Sequence, residues 1–193
     1  MLCVATTPSS AATIPYPDKG IEAPANSFFA ASTGDLKGYF YGASAAFTET
    51  VGLEVNGILR ASNLFNNKST TAGAAYDFGL VKAGDLLTFI LHVSTGDTFY
   101  SDQSRNKDGL NHVYTTAYAG GVSAIPAGTY IGFEDLRGGG DKDYNDDTFV
   151  FTNTTTSLSA VPLPASAPMF GAALLGLAGL GYVAKRKKAS ATA

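Results

Sequence analysis

The chain of 193 residues has no tryptophan, one cysteine and two histidines. Cys3, in the N-terminal segment, is the single cysteine, so the body of the chain has no thiol for a disulfide, a thiolate metal site or a nucleophile. Basic residues are also scarce. Outside the basic cluster near the C terminus, nine Lys and Arg face sixteen Asp and Glu, which argues against nucleic acid as a partner.

The body of the chain, residues 18–153, shows the two-residue period of β-strands and no sustained helical period. Val51, Leu53 and Val55 alternate with polar neighbours, and Asn56-Gly57 then predicts a hairpin turn. Further strands are predicted at 87–93, 113–119, 130–134 and 148–152. Short strands separated by Gly, Asn and Asp turns predict a single all-β domain, an antiparallel β-sandwich of the jelly-roll type.

Acidic residues concentrate between Glu134 and Asp147, where six of the sixteen acids fall in fourteen residues. Crowded carboxylates repel one another and are pushed toward their neutral forms unless a cation lies among them. Ca²⁺ takes about six to eight oxygen ligands of the kinds found here, and the glycines at 138–140 give the backbone freedom to close a loop around an ion. The sequence therefore predicts a calcium site in this loop.

The predicted metal ligands all come from the acidic loop: Glu134, Asp135, Asp141, Asp143, Asn145 and Asp146. Asp141, Asp143 and Asp146 are expected to bind directly, and Asn145 through its amide oxygen. Asp147 is expected to be solvated or to begin the next strand, and Tyr144 to pack inward. A solvated acidic turn without a metal stays open as the alternative.

A second polar loop ends in Asp108-Gly109-Leu110-Asn111-His112. Asp108 and Asn111 are candidates to add oxygens to the same site; alternatively, Asp108-Gly109 forms an Asx turn that only reverses the chain. His112 is a poor Ca²⁺ ligand and is expected to hydrogen-bond an acidic neighbour and orient it. His92, between Leu91 and Val93, is expected to lie on a strand face.

Residues 132–146 read Gly-Phe-Glu-Asp-Leu-Arg-Gly-Gly-Gly-Asp-Lys-Asp-Tyr-Asn-Asp. This stretch resembles an uncharacterised family of bacterial surface domains marked by Gly-Phe-Glu-Asp-Leu-x-Gly-Gly-Gly-Asp-x-Asp-Tyr-Asn-Asp. In that family an Asp-Gly-x-x-His element precedes the acidic motif, as Asp108 to His112 does here. The resemblance implies a β-rich domain with no established activity.

The C-terminal segment has three parts in a fixed order. It begins with Val161-Pro162-Leu163-Pro164-Ala165, continues with an uncharged apolar run over 167–184 and ends with the basic cluster Lys185, Arg186, Lys187 and Lys188. The apolar run could form a helix of about 27 Å, which predicts one transmembrane helix. The basic cluster is expected to keep residues 189–193 in the cytoplasm.

This order resembles the PEP-CTERM sorting signal of Gram-negative bacteria, in its Val-Pro-Leu-Pro-Ala variant, over residues 161–188. The resemblance implies export through the inner membrane, cleavage by an exosortase-like enzyme and delivery to the cell surface or extracellular matrix. Residues 1–17 are expected to be a partial signal peptide, with a cleavage site after Ser10-Ala11-Ala12, or a disordered N terminus. Residues 154–160 are predicted to be a flexible polar linker.

Three functions follow from these patterns. The first is an exported calcium-binding structural or adhesion module, and the second is a calcium-dependent module that binds extracellular polysaccharide. The third, a hydrolase, would need two acids set about 5–10 Å apart in a cleft. Since the acids are adjacent in one loop, and no Ser/His/Asp set or phosphate loop is found, we expect no enzymatic activity.

Overall fold

A computed structural model describes Ile14, Tyr16 and residues 19–158 of the chain. Within these residues the chain forms eleven β-strands and one short 3-10 helix, Gln103–Arg105. The strands are β1 (Asn26–Ala30), β2 (Gly34–Ala43), β3 (Glu49–Val55), β4 (Ile58–Leu64), β5 (Ala75–Val81), β6 (Leu86–Val93), β7 (Thr98–Tyr100), β8 (Val113–Tyr118), β9 (Gly128–Phe133), β10 (Asp147–Phe151) and β11 (Thr154–Leu158).

The strands form two sheets in which each pair of neighbours is antiparallel. The first sheet has the order β11-β1-β6-β3-β4, with β7 also paired to β6, and the second has the order β5-β2-β10-β9-β8. The first strand pairs with the last in one sheet, and β2 pairs with β10 in the other. The predicted all-β fold built from antiparallel sheets is therefore confirmed.

The core lies between the two sheets and is rich in phenylalanine. Phe28 and Phe89 of the first sheet pack edge to face, and the Phe89 ring lies 4.3 Å from the ring of Phe151 in the second sheet. Each buried ring of this kind contributes about 1.5–3 kcal/mol through the hydrophobic effect. The opposite face of β9 carries Tyr130, which belongs to a smaller tyrosine-rich cluster.

The predicted hairpin at Asn56-Gly57 is confirmed. The two residues form the turn between β3 and β4, and their φ angles of 51° and 76° are both positive. Two positive φ angles define the turn that matches the twist of antiparallel strands, and Asn-Gly is the pair that adopts them most readily.

The predicted linker is wrong over residues 154–158. These residues form β11, which pairs with β1 from Asn26 opposite Leu158 to Ala30 opposite Thr154. Threonine is β-branched and fits an edge strand well, so a polar and uncharged segment can complete a sheet. The folded unit therefore extends through Leu158.

Among the described residues, none belongs to a helix with the length and apolar character needed to cross a membrane. The predicted transmembrane helix at 167–184 lies outside those residues. So do the sorting motif at 161–165, the basic cluster at 185–188 and the cleavage site at 10–12.

Candidate metal centre

The acidic loop joins β9 to β10, two neighbouring strands of the second sheet. Its ends are fixed because Phe133 pairs with Asp147 and the Asp146 N–H donates to the Phe133 carbonyl at 3.2 Å. In the middle of the loop Tyr144 turns inward and is fully buried, as expected. The inward turn of Tyr144 places its carbonyl oxygen against Gly132, so the loop folds back over β9.

Three of the predicted ligands, Glu134, Asp141 and Asp143, converge on the outer side of the loop. Each offers a carboxylate oxygen, and these oxygens lie within 4.8 Å of one another, so the group could hold a metal ion. We call these three residues the outer cluster. Asp141 is exposed and Asp143 is half-buried, whereas Glu134 is only 1% exposed.

Glu134 is the buried member of the outer cluster. Its Oε1 accepts a hydrogen bond from the Tyr144 N–H at 2.5 Å, while its Oε2 is buried with no hydrogen-bond partner in the described part of the chain. Burial raises the pKa of Glu134, and it outweighs the main-chain hydrogen bonds that lower it. Gly140 is required here because a Cβ at that position would lie 2.5 Å from Oε2. A buried carboxylate oxygen is thus left for a cation.

The N-terminal segment already supplies one positive charge to the outer cluster. Lys19 Nζ lies 2.6 Å from Asp141 Oδ2 and 3.1 Å from Asp143 Oδ2. These two contacts raise the pKa of Lys19. The segment is also tied to the loop by its main chain, since the Gly20 N–H donates to the Asp141 carbonyl at 2.9 Å. Because Lys19 is exposed, its ion pairs are weak and a divalent ion can displace the ammonium group.

Two other predicted ligands, Asp135 and Asp146, lie on the inner side of the loop. The Asp146 Oδ2 accepts a hydrogen bond from the Asp135 N–H at 3.0 Å. Their neighbours there are Glu49, the first residue of β3, and Asp147, the first residue of β10. We call Glu49, Asp135, Asp146 and Asp147 the inner cluster. Burial, reinforced by the charges of nearby acids, raises the pKa of Asp146 to about 7.

The structure therefore divides the predicted ligand set between two groups. Successive residues of an extended chain point in opposite directions, so the side chains of Glu134 and Asp135 diverge and reach the shared surface groove at different points. This alternation is the one sequence signal that could have separated them. Glu49 and Lys19 were not predicted at all, because each is distant in sequence and reaches the loop only through the folded chain.

The predicted amide ligand Asn145 takes part through its main chain. Its N–H donates to Asp143 Oδ1 at 3.3 Å, and its carbonyl accepts from the Ser44 N–H at 3.0 Å. These bonds connect the loop to the end of β2. The asparagine thus helps to position the outer cluster from the main chain.

Asp108 and His112 hold the acidic loop in place through contacts with its main chain. Asp108 Oδ2 lies 2.9 Å from His112 Nε2 and accepts from the Gly138 N–H at 3.0 Å. The other ring nitrogen of His112 lies 3.1 Å from the Glu134 carbonyl oxygen, so both nitrogens are engaged. Partial burial acts to raise the pKa of Asp108, but hydrogen bonds from Gly138, His112 and Leu110 lower it overall. The hydrogen bond from the Leu110 N–H to Asp108 Oδ1, at 3.2 Å, forms the Asx turn that the sequence predicts as the alternative role of Asp108.

The structure places Asn111 in a different role from the predicted one. Its amide nitrogen donates to the carbonyls of Ala23 at 2.9 Å and Val113 at 2.7 Å, and its Oδ1 accepts from the Val113 N–H. Asn111 is 1% exposed and is used to hold the N-terminal segment against the start of β8. His92, with a pKa lowered by burial, lies on β6 and outside both clusters.

Comparison with known proteins identifies part of this chain. Residues 63–154 match the family model described as a domain of unknown function, DUF4114. The matched segment includes the Asp108–His112 loop and the whole acidic loop, but neither Lys19 nor Glu49. No curated protein matches the chain significantly. Residues 63–154, about half of the chain, are thus similar to a domain family whose function is unknown.

Proposed function

We propose that this protein is an exported β-sandwich of the cell surface or extracellular matrix, and that its outer cluster binds Ca²⁺ as a structural ion. The observation that carries the calcium proposal is the approach of three carboxylates to within 4.8 Å, one of them buried with an unpaired oxygen. Ca²⁺ is favoured over softer metals because the ligands are oxygens. The bound ion would fix the loop against β9 and support adhesion or envelope organisation without catalysing a reaction.

The electrostatics of the loop support this proposal. Three carboxylates carry three negative charges when ionised, and Lys19 offsets one of them. A divalent ion in its place would offset two and satisfy the buried Glu134 oxygen. The main-chain bonds of Gly138 and Asn145 hold the loop in shape before an ion arrives, so little ordering is required for binding.

We expect Ca²⁺ at a hundredfold excess over its dissociation constant to raise the free energy of unfolding by about 2.7 kcal/mol through the outer cluster. Replacing both Asp141 and Asp143 with asparagine should remove this calcium-dependent gain in stability, because the ligand charges are lost while the side-chain shapes are kept. The measurement is urea denaturation of the full chain in mild detergent, with calcium or with a chelator.

The matched control is Lys19→Gln. This substitution breaks the same two ion pairs as the double variant but leaves the three carboxylates in place, so the calcium-dependent gain should persist. A double variant that gains as much stability from calcium as the wild type would overturn the outer site.

The localisation part of the proposal rests on the sequence of the C-terminal segment. If an exosortase-like enzyme cuts at the sorting motif, the mature protein should end near residues 161–165. The test is the intact mass of the protein recovered from the surface or medium of a bacterium that carries such an enzyme. An uncut chain found in the membrane fraction would instead indicate a permanent anchor through 167–184.

The structure gives little support to the alternative function of a polysaccharide-binding module. Such a module needs a row of exposed aromatic rings. Among the described residues the exposed large aromatic side chains are Tyr16 and Tyr76, and the Tyr16 hydroxyl is hydrogen-bonded to that of Tyr130 at 2.7 Å. We therefore propose calcium as a structural ion of the loop.

A further inference from the structure

The inner cluster contains Asp147, the most deeply buried carboxylate among the described residues. Glu49 is 1% exposed and Asp147 is fully buried, and Asp135 is also buried. In the described part of the chain no N–H or O–H group donates to the carboxylate oxygens of Glu49 or Asp147, and the Glu49 carboxyl lies against that of Asp135. Unpaired buried carboxylates are strongly destabilising, so four such oxygens in one place require an explanation.

These side chains cannot turn away from one another, because their main chains are fixed. Asp147 begins the central strand β10 and is paired with Ala43 on one side and Phe133 on the other. The Glu49 N–H donates to the amide oxygen of Asn67 at 2.9 Å, and β3 is paired between β6 and β4 in the first sheet. The two sheets thus hold the Glu49 and Asp147 carboxyls in the same region.

No ion pair between described residues neutralises the inner cluster. Among the described residues, none of the ion pairs involves Glu49, Asp135, Asp146 or Asp147. Lys68 is the lysine whose charge acts on Asp147, but its ammonium group donates to the Ala45 carbonyl at 2.6 Å. The cluster therefore needs either protons or an ion from solution.

A route for such an ion exists. One surface groove is shared by both clusters: it is lined by Asp135 and Asp146 of the inner cluster and by Glu134 and Asp141 of the outer cluster, together with Ala46, Phe47, Leu136 and Gly140. The groove gives solvent access to the two acids above the buried carboxyls. Four carboxylates offer up to eight oxygens, and the seven left after the bond from the Asp135 N–H are enough for the roughly six to eight ligands of Ca²⁺. Without an ion these oxygens lie farther apart than those of the outer cluster, so binding would draw them together.

We infer that Glu49, Asp135, Asp146 and Asp147 form a second divalent-cation site, which binds Ca²⁺ or a similar hard ion and joins the first sheet to the second. This inner site goes beyond the proposed function, since it shares no ligand with the outer cluster. The ion would bridge the start of β3 to both ends of the acidic loop. Binding at the inner site would therefore stabilise the sandwich itself.

The test is calcium binding to the full chain, measured by isothermal titration calorimetry at pH 7.5 after chelator treatment. The wild type should bind two ions. Glu49→Gln, which keeps the length of the side chain and removes its charge, should bind one, or bind the second about tenfold more weakly or worse. The double variant Asp141→Asn, Asp143→Asn should also bind one ion, but at the inner site, because its outer site is lost.

Glu54→Gln provides the matched control. It is the same substitution on the same strand, at a carboxylate that pairs with Arg105 on the surface, and it should leave two ions bound. If Glu49→Gln does not fold, Asp146→Asn gives a second test, because an asparagine oxygen can still accept the bond from the Asp135 N–H.

The two sites can fail separately. A wild type that binds one ion, lost in the Asp141/Asp143 variant and retained in both Glu49→Gln and Asp146→Asn, would overturn the inner site. One ion lost in Glu49→Gln and retained in the Asp141/Asp143 variant would support the inner site and overturn the outer one. A wild type that binds no ion would overturn both.

Discussion

Replacing Gly132 with alanine is expected to lower the free energy of unfolding by about 3 kcal/mol, the upper end of the usual cost of overpacking. A Cβ at this position would overlap the main-chain carbonyl oxygen of Tyr144 and lie 3.3 Å from a ring carbon of Tyr130. Because the Tyr144 carbonyl belongs to the acidic loop, the loop would have to move away from β9. Asp143 would move with it, so calcium binding should weaken as well. Urea denaturation with and without calcium measures both effects.

Gly42→Ala is the control for this substitution. Gly42 lies on β2 in the same sheet, and the nearest atom to a Cβ there is Thr148 Oγ1 at 3.9 Å, an ordinary contact. Its alanine variant should keep its stability or gain slightly, since alanine loses less backbone entropy on folding. Equal losses of stability at the two positions would show that the close approach of Tyr144 has no special importance.

The metal-free protein is expected to lose stability as the pH rises from 5 to 8. Burial raises the pKa of Asp146 from 3.8 to about 7 and that of Glu49 from 4.5 to about 10, and the pKa of Asp147 is also raised. In this window the folded state binds more protons than the unfolded state, so each added pH unit favours unfolding. Asp146 alone would account for about 3 kcal/mol between pH 4 and pH 7. We expect a total loss of at least about 3 kcal/mol between pH 5 and pH 8.

Calcium should remove most of this dependence, because a bound cation stabilises the ionised carboxylates. The pKa of His92 is lowered by burial, so His92 acts in the opposite direction below its unfolded pKa. The pH dependence of the His92→Gln variant should therefore be measured as well, to separate the effect of His92 from that of the buried carboxylates. The measurement is the denaturation midpoint in chelator and in calcium at several pH values, with Glu49→Gln expected to flatten the curve in chelator. A metal-free stability that stays level or rises from pH 5 to pH 8 would contradict the prediction.

Local patterns predicted much of the sheet structure. The β3–β4 hairpin follows from Asn56-Gly57, whose conformational preference does not depend on distant residues. β11 was predicted as a linker because Thr154, Thr155 and Thr156 are polar and show no apolar alternation. That segment becomes a strand through hydrogen bonds with β1, a partner from the other end of the domain that the local sequence does not reveal.

The sequence predicted which loop carries the candidate metal centre, but not how the carboxylates of that loop are arranged in space. The density of acids identified residues 134–147, since repulsion between nearby charges depends on composition. The separation of Asp135 and Asp146 from the outer cluster depends on which side each residue faces after Tyr144 turns inward. Glu49 joins them because β3 and β10 begin close together across the sandwich, and no pattern around Glu49 indicates this.

The pairing of the first strand with the last places the two terminal strands of the folded unit side by side. Asn26 lies opposite Leu158, and the Cα atoms of opposed residues in an antiparallel pair are about 5 Å apart. A host polypeptide could therefore be interrupted by this sandwich at a single surface turn without having to span its length.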